Sequence, residues 1–547
     1  MHLRVKNKAR QRLQERNSKK FTFINVSEEK TKLILSSDVS KLRQLQIEGR
    51  ELNLITEEYY DQALREAEEK DKQRELAIKN GRVSELGLLH GIPISIKDHI
   101  CEEGKHSTVG VMSFADNIAQ EDAIVVQQLR AQGAIPMVKG NTPQLLLSLV
   151  SENDIYGKAL NPHDTSRTCG GSSGGDGGLV ASKCIPLAFG TDIAGSIRCP
   201  SEFCGIYGFK PTTLRVSSKD IIMPLPNGSV PQCVFQETTG PLGYSANDLK
   251  LGTQSLMGEE LFRKDPNVIP LPFDEQRYQE TLAKKKLRFG YFYGTDIIGS
   301  TTSVKRAILM TKEKLVKLGH EFIPFQFSKK EAQEYVDIHM ICCTFGCQGQ
   351  LSSMFKQQHD RPIPLLKTSF DFYNYPRFFQ KILSAYYSRF VCERIGGVLA
   401  LTKECSRDEI DDVLRRKARF TEDFIQRWED MKLDAMISPT YPTCAFKFED
   451  QEDIGFSTEY QVLWNVVNFP TGCVPITEVL EDEEADEAYQ EKPNDVITAA
   501  FKRTIKGSKG MPVGIQVSTP RWKDEECLAI IKIIGDQFNF IKMAPQI

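Results

Sequence analysis

A chain of 547 residues, 40% hydrophobic and 26% charged, has ordinary globular composition and can bury a large core, in one big domain or several smaller ones. Its formal net charge of −3 supplies no global field for nucleic acid or acidic substrates, and no apolar run approaches the ~18 residues of a membrane span. Its 14 cysteines are scattered without zinc-binding spacing, and the start lacks a secretory signal, so free thiols in a reducing, cytoplasmic compartment are expected rather than secretion.

Residues 1–38 form a basic arm: within the first twenty, Arg4, Lys6, Lys8, Arg10, Arg12, Arg16, Lys19 and Lys20 face the single acid Glu15. Such an arm suits anionic lipid or RNA, or is simply a solvated terminus. Residues 39–547 read as a single domain without linker or internal repeat. Its first segment, 39–80, is rich in Glu, Lys, Gln, Leu and Ala, with Leu42, Leu45, Leu52 and Ile55 at helical spacing, and Gly81 stops it. In Gly91-Ile92-Pro93-Ile94-Ser95-Ile96-Lys97-Asp98 strict alternation predicts a strand with the isoleucines on one face and Ser95 and Lys97 on the other. A helix over Asp122–Gln132, Gly133 and a strand over Ala134–Val138 follow. The same helix–strand rhythm recurs at Val304–Gly319 with Glu321–Ile323, and at Phe420–Met431 with Asp434–Ser438. That alternation predicts an α/β layer fold. The acidic run 478–491 reads as a solvated loop.

The chemistry concentrates between Cys169 and Pro211. A first block, Cys169-Gly-Gly-Ser172-Ser173-Gly-Gly-Asp176-Gly-Gly, offers two hydroxyls in a permissive backbone. A flexible linker would not run straight into the apolar Leu179-Val180-Ala181, and a phosphate loop lacks its lysine. A second block, Thr191-Asp192-Ile193-Ala194-Gly195-Ser196-Ile197-Arg198, presents Ser196 after several unencumbered N–H groups that can meet an oxyanion. It is not the Gly-x-Ser-x-Gly elbow, because Ile197-Arg198 follow the serine. None of the eight histidines sits in a comparable motif. Lys97, on a strand that buries it, is the natural base, since burial lowers a lysine toward neutral pKa.

Lys97, the Gly170–Gly175 block and Thr191–Arg198 together resemble the amidase signature family. The resemblance runs from about residue 40 to 540 and extends to Phe203–Pro211, Asn465–Gly472 and Gly510–Gln516. It implies a mixed, twisted central β-sheet with helices on both faces. It also implies amide hydrolysis without metal or cofactor, through an acyl-enzyme on Ser196. Lys97 would be base and then acid. Ser172, on a cis peptide, would be the relay. N–H groups of Ile193, Ala194, Gly195 and Ser196 would form the oxyanion hole, with Ser173, Asp192 and Arg198 in support. One departure stands out: the family usually has two glycines before the nucleophile, and here the first is Ala194. At positive φ its Cβ would cost on the order of 1 kcal/mol.

Within the family the resemblance is greatest to fatty acid amide hydrolases, which implies N-acylethanolamines or primary fatty acid amides as substrates. In 376–395, Phe378, Ile382, Tyr386 and Phe390 recur every four residues beside Phe379, Leu383, Tyr387 and Val391, interspersed with Arg377, Lys381, Arg389 and Arg394. This reads as a basic amphipathic helix, either a membrane cap or a face packed on the core or on a homodimer partner. The family's animal membrane-bound members carry a transmembrane anchor before the catalytic domain. This chain has only the basic arm there, so any attachment to an intracellular membrane is expected to be peripheral. Competing readings are a glutamine-dependent amidotransferase subunit, a small-substrate amidase and an inactive lipid-binding homologue.

Overall fold

The computed structural model describes residues 49–223, 235, 237–258, 261–344, 348–358, 360–402, 405–485, 489 and 494–540. The basic arm, with Leu42 and Leu45, lies outside the described residues. Among the described residues eleven strands share one sheet: β1 Ile55–Glu58, β2 Pro93–Lys97, β3 Ile135–Gly140, β4 Leu187–Asp192, β5 Tyr207–Lys210, β6 Thr238–Gly243, β7 Arg288–Tyr291, β8 Glu321–Pro324, β9 Ala435–Ser438, β10 Thr471–Glu478 and β11 Pro512–Ser518. Their spatial order is β1-β3-β2-β4-β6-β5-β10-β11-β9-β7-β8. β2 runs parallel to β3 and β4, and β7 parallel to β8 and β9, while the other pairings are antiparallel. The sheet is therefore mixed.

Every residue of β2, β3, β4, β6, β9 and β11 is buried, so both faces of the sheet are covered there. This sharpens the expectation for β2. Its alternation separates an apolar row, Ile94 and Ile96, from Ser95 and Lys97, and that second row is no more exposed than the first. Covering helices that bear on the site are α1 Tyr60–Lys79, α2 Ile124–Ala131, α3 Gly174–Ala181, α4 Arg198–Cys204, α5 Thr302–Lys317, α6 Lys329–His339, α7 Arg377–Tyr386, α8 Glu393–Leu401 and α9 Arg407–Asp430. Gly133 and Gly319 follow α2 and α5 at φ +86° and +94°, a left-handed exit that a glycine adopts without steric cost. α9 begins well before the expected residue 420, because Ser406 and Glu409 close a capping box at its start.

Three sequence expectations change. The helical segment 39–80 is interrupted: Asn53 turns the chain at φ +54°, and β1 pairs antiparallel with β3 at the sheet edge. Leu54 and Ile55 join an apolar cluster with Val138 and Leu179, and that burial outweighs local helix propensity. The acidic run is not wholly solvated, since Glu483 is buried under the Arg306 guanidinium at 2.7 Å. The residues 486–488, 490 and 491 of that run lie outside the described residues.

The third change is to 376–395, which is not one helix. α7 passes into a π-turn at Tyr387–Val391, Cys392 is extended, and α8 follows. α7 is also inside out. Gln380 and Ser384 are its buried residues, donating to the carbonyls of Tyr373 (2.8 Å) and Gly396 (2.8 Å). Phe379, Ile382 and Tyr386 face outward, as do Phe378 and Phe390 at 68% and 73% exposure. The aromatic stripe is not packed on this chain's core. Arg394, expected among the basic residues of that face, instead pairs with Asp495 and donates to Ile297 O and Thr498 Oγ1.

Candidate active site

The site lies where the ends of β2 and β4 meet the start of α3. Lys97 is the last residue of β2 and is fully buried. Its Nζ is 2.7 Å from Ser172 Oγ and 3.1 Å from Thr191 Oγ1. Burial pulls the ammonium down to about 8, against the opposing pull of Glu237, Asp176, Asp192 and Asp98. A lysine so placed exchanges a proton near neutral pH.

Ser172 stands just before α3, and the Gly171–Ser172 peptide is cis. The glycines around it are required by close approach rather than by flexibility. A Cβ on Gly175 would lie 2.0 Å from Asn141 N, and one on Gly171 would lie 2.4 Å from Ser148 O. α3 is buried along its whole length, wedged against the ends of β2 and β3. Within it Asp176 accepts from Ser95 Oγ at 2.6 Å, and burial pushes its carboxyl up to about 7.

β4 ends at Asp192, and the turn 193–197 carries Ser196 into α4. Ser173 N donates to Ser196 O (3.1 Å), and Ser173 Oγ donates to Thr191 O (3.4 Å), so the two serine blocks are tied together. Asp192 organises the turn. Its Oδ1 accepts from Gly195 N (2.9 Å) and its Oδ2 from Ile197 N (3.2 Å), while both oxygens receive the Arg198 guanidinium at 2.9–3.0 Å. Burial opposes the charge on Asp192, but Arg198 outweighs it and holds the carboxyl well below its ordinary range. Arg198 also donates to Gln461 O (2.9 Å), Gln516 Oε1 (3.1 Å) and Asn465 Oδ1 (2.7 Å). Arg198→Leu would leave the buried Asp192 carboxylate without its guanidinium partner. The expected cost is about 3–5 kcal/mol in a urea unfolding experiment.

Two expectations are corrected by this geometry. The Gly195 N–H is committed to Asp192, so of the four expected oxyanion donors those of Ile193, Ala194 and Ser196 remain. Ala194 carries no backbone strain either: positive φ falls on Gly195 (+107°) and not on Ala194. A Cβ on Gly195 would meet Gln461 at 2.5 Å, so the glycine that cannot be replaced is retained.

Ser172 and Ser196 open on one cleft, walled by Leu145, Leu146, Ile193, Ala194, Met223, Met340, Leu351 and Phe456. Sequence reasoning had no signal for three polar residues that also line it or stand behind it. His339 reaches Ile193 O with Nε2 at 3.0 Å, and burial lowers its ring to about 4, so it is neutral. Glu237 lines the same cleft, and His99 lies against it. Thr191 stood in a quoted motif, but only its contact with Lys97 reveals a task for it.

The amidase family model matches residues 40–528. The chain is 32% identical over 449 residues to fatty-acid amide hydrolase 1 of Sus scrofa, covering 82% of this chain and 75% of that one. It is 30% identical over 481 residues to fatty acid amide hydrolase 1 of Caenorhabditis elegans, covering 86% and 80%. A solved fatty acid amide hydrolase superposes with a TM-score of 0.74 at 23% identity, covering 89% of this chain and 79% of that chain, a likeness of fold.

Proposed function

The chain belongs to the amidase family, and on that premise we propose that it hydrolyses fatty acid amides, such as N-acylethanolamines and primary fatty acid amides, with Ser196, Ser172 and Lys97 as its catalytic residues. The observation that carries this reading is the buried Lys97–Ser172 contact of 2.7 Å beside Ser196, at the floor of a mainly apolar cleft.

Neutral Lys97 accepts the Ser172 hydroxyl proton as Ser172 takes the proton of Ser196. Ser196 Oγ attacks the carbonyl carbon, and the displaced electron pair collects on oxygen, facing the N–H groups of Ile193, Ala194 and Ser196. The proton returns from Lys97 through Ser172 to the departing nitrogen, the C–N bond breaks, and the amine leaves an acyl ester on Ser196. Water then repeats the sequence, its proton passing along the same path, and frees the fatty acid. Neutral His339 holds the Ile193 carbonyl and with it the orientation of the donor turn.

Apolar cleft walls suit an acyl chain better than the charged glutamine of an amidotransferase. Incubating the purified protein with oleamide, anandamide and glutamine tests this directly. Release of oleate from oleamide and of arachidonate from anandamide is expected, and turnover of glutamine alone would overturn the lipid reading.

The outward stripe of α7 and the following turn, with Lys381 and Arg389 exposed beside it, is the surface for peripheral membrane contact. No helix of the described residues is long and apolar enough to cross a membrane. Replacing Phe378, Phe379 and Phe390 together by serine is expected to lower co-sedimentation with phosphatidylserine-containing vesicles more than about tenfold, because each ring contributes roughly 1.5–3 kcal/mol when fully buried. Unchanged sedimentation would assign the stripe to protein contacts instead.

A further inference from the structure

Besides Ser172, Lys97 meets a second line of hydrogen-bonding groups, Thr191, His99 and Glu237. Lys97 Nζ donates to Thr191 Oγ1 at 3.1 Å. His99 Nε2 lies 3.2 Å from that same oxygen and 3.2 Å from Glu237 Oε2. All four side chains are buried, His99 completely and Glu237 to 7% exposure. A carboxylate can only accept, so the Nε2 proton resides on His99 and is shared between Glu237 Oε2 and Thr191 Oγ1. Burial depresses the His99 ring, which is therefore neutral while it makes this bridge. Glu237 in turn borders both the substrate cleft and a second cavity lined by Lys219, Asp220 and Asp265.

We propose that Glu237 and His99 are positioning residues for the base, a carboxylate–imidazole pair that acts through Thr191 to hold Lys97 and to stabilise its protonated form during turnover. The inference rests on the reading of Lys97 as base. Its physical content is a balance of two opposed effects. Complete burial favours the neutral amine, and a fully desolvated lysine with no nearby anion would bind protons too weakly to accept one from a serine. The carboxylates facing Lys97 oppose this: Glu237 most strongly, then Asp176 from α3, Asp192 from β4 and Asp98 from the turn after β2. Asp192 is already neutralised by Arg198, and Asp98 accepts from Thr108 and Val109 N–H groups. Among the described residues Glu237 is linked by hydrogen bonds to Lys97 through His99 and Thr191, and Thr191 Oγ1 and Ser172 Oγ together hold Nζ.

The test is the pH dependence of oleamide hydrolysis and of fluorophosphonate labelling for the full chain and two Glu237 variants. Neutral Lys97 is the reactive form, so the wild-type rate rises with pH through about 8. Glu237→Gln removes a negative charge, favours the neutral amine, and is expected to move that rise about one pH unit lower. Glu237→Asp keeps the charge and is expected to return it toward the wild-type position. A merely structural glutamate would alter the amount of folded protein without moving the limb. Should Glu237→Gln fail to fold, His99→Gln carries the test, with an expected loss of about tenfold in kcat at the plateau and little change in KM. An unmoved limb in folded Glu237→Gln, or an unchanged plateau in His99→Gln, overturns this inference alone. Wild-type protein inert to both probe and amide overturns the amidase reading, and this inference with it.

Discussion

Ser196→Ala is expected to lower amide turnover by at least about 10⁴-fold and to abolish fluorophosphonate labelling, while the protein remains folded. The size of the effect follows from the geometry. Ser196 stands in the turn that Asp192 and Arg198 clamp, and Ser173 cannot stand in for it. The Ser173 hydroxyl is spent on Thr191 O, and its N–H on the Ser196 carbonyl. Removing one oxygen from a residue only 7% exposed disturbs little packing, so folding stability is expected to change by less than about 1 kcal/mol. Mass spectrometry of protein quenched during turnover should find the acyl ester on the peptide containing Ser196. Equal labelling of the alanine variant would remove Ser196 as nucleophile.

Lys97→Ala is the second large effect. Among the described residues Lys97 is the base within proton-transfer distance of Ser172 Oγ, at 2.7 Å, and without it kcat/KM is expected to fall roughly 10³-fold. The pH profile separates loss of a base from loss of structure. Wild-type activity should rise through about 8 as Lys97 loses its proton. In the alanine variant that limb should vanish and the residual rate climb only at higher pH, as hydroxide takes over. An unchanged profile would assign the base elsewhere. Loss of the Lys97 amine has a second readout, with its sign fixed by linkage. A folded-state lysine pKa below the unfolded value means that the unfolded chain binds more protons between about 8 and ~10.4, so wild-type stability rises with pH across that window. Lys97→Met, which removes this penalty, should therefore be more stable than the wild type at neutral pH and should lose the rise.

How much of this could be read from residues alone depends on how local each feature is. Lys97, Ser172 and Ser196 each sit in a short block whose glycines and flanking isoleucines announce a constrained backbone. The helix–glycine–strand units were equally visible, because their periodicity is contained within about thirty residues. The strand β1 was hidden: four residues at a sheet edge, surrounded by strong helix formers, are claimed by β3 only after the chain has folded back. The commitment of the Gly195 N–H to Asp192 depends on a turn conformation that composition does not encode. His99 and Glu237 lie 138 residues apart, and His339 lies 146 residues from its partner Ile193, so no spacing rule links them. For α7 the pattern was plain, but the side on which it faces was not. A hydrophobic stripe is the same string of letters whether it faces the core or the outside, and here Gln380 and Ser384 turn inward and leave the stripe outside.

The Arg198 clamp also bears on the order in which the chain can be made. Its partners Gln461, Asn465 and Gln516 arrive 263, 267 and 318 residues after it. In the sheet, β5 is held on one side by β6, nearby in the chain, and on the other by β10, which is synthesised some 260 residues later. A nascent chain emerging from the ribosome at ≈ 5–20 residues per second thus carries the serine turn for many seconds before its distal braces exist. During that interval a guanidinium destined for the interior lacks three of its acceptors, and the β5–β10 pairing remains open. Such high contact order predicts slow, late-closing folding, with activity appearing only after release of the full chain, and a dependence on chaperones that shorter-range α/β domains escape.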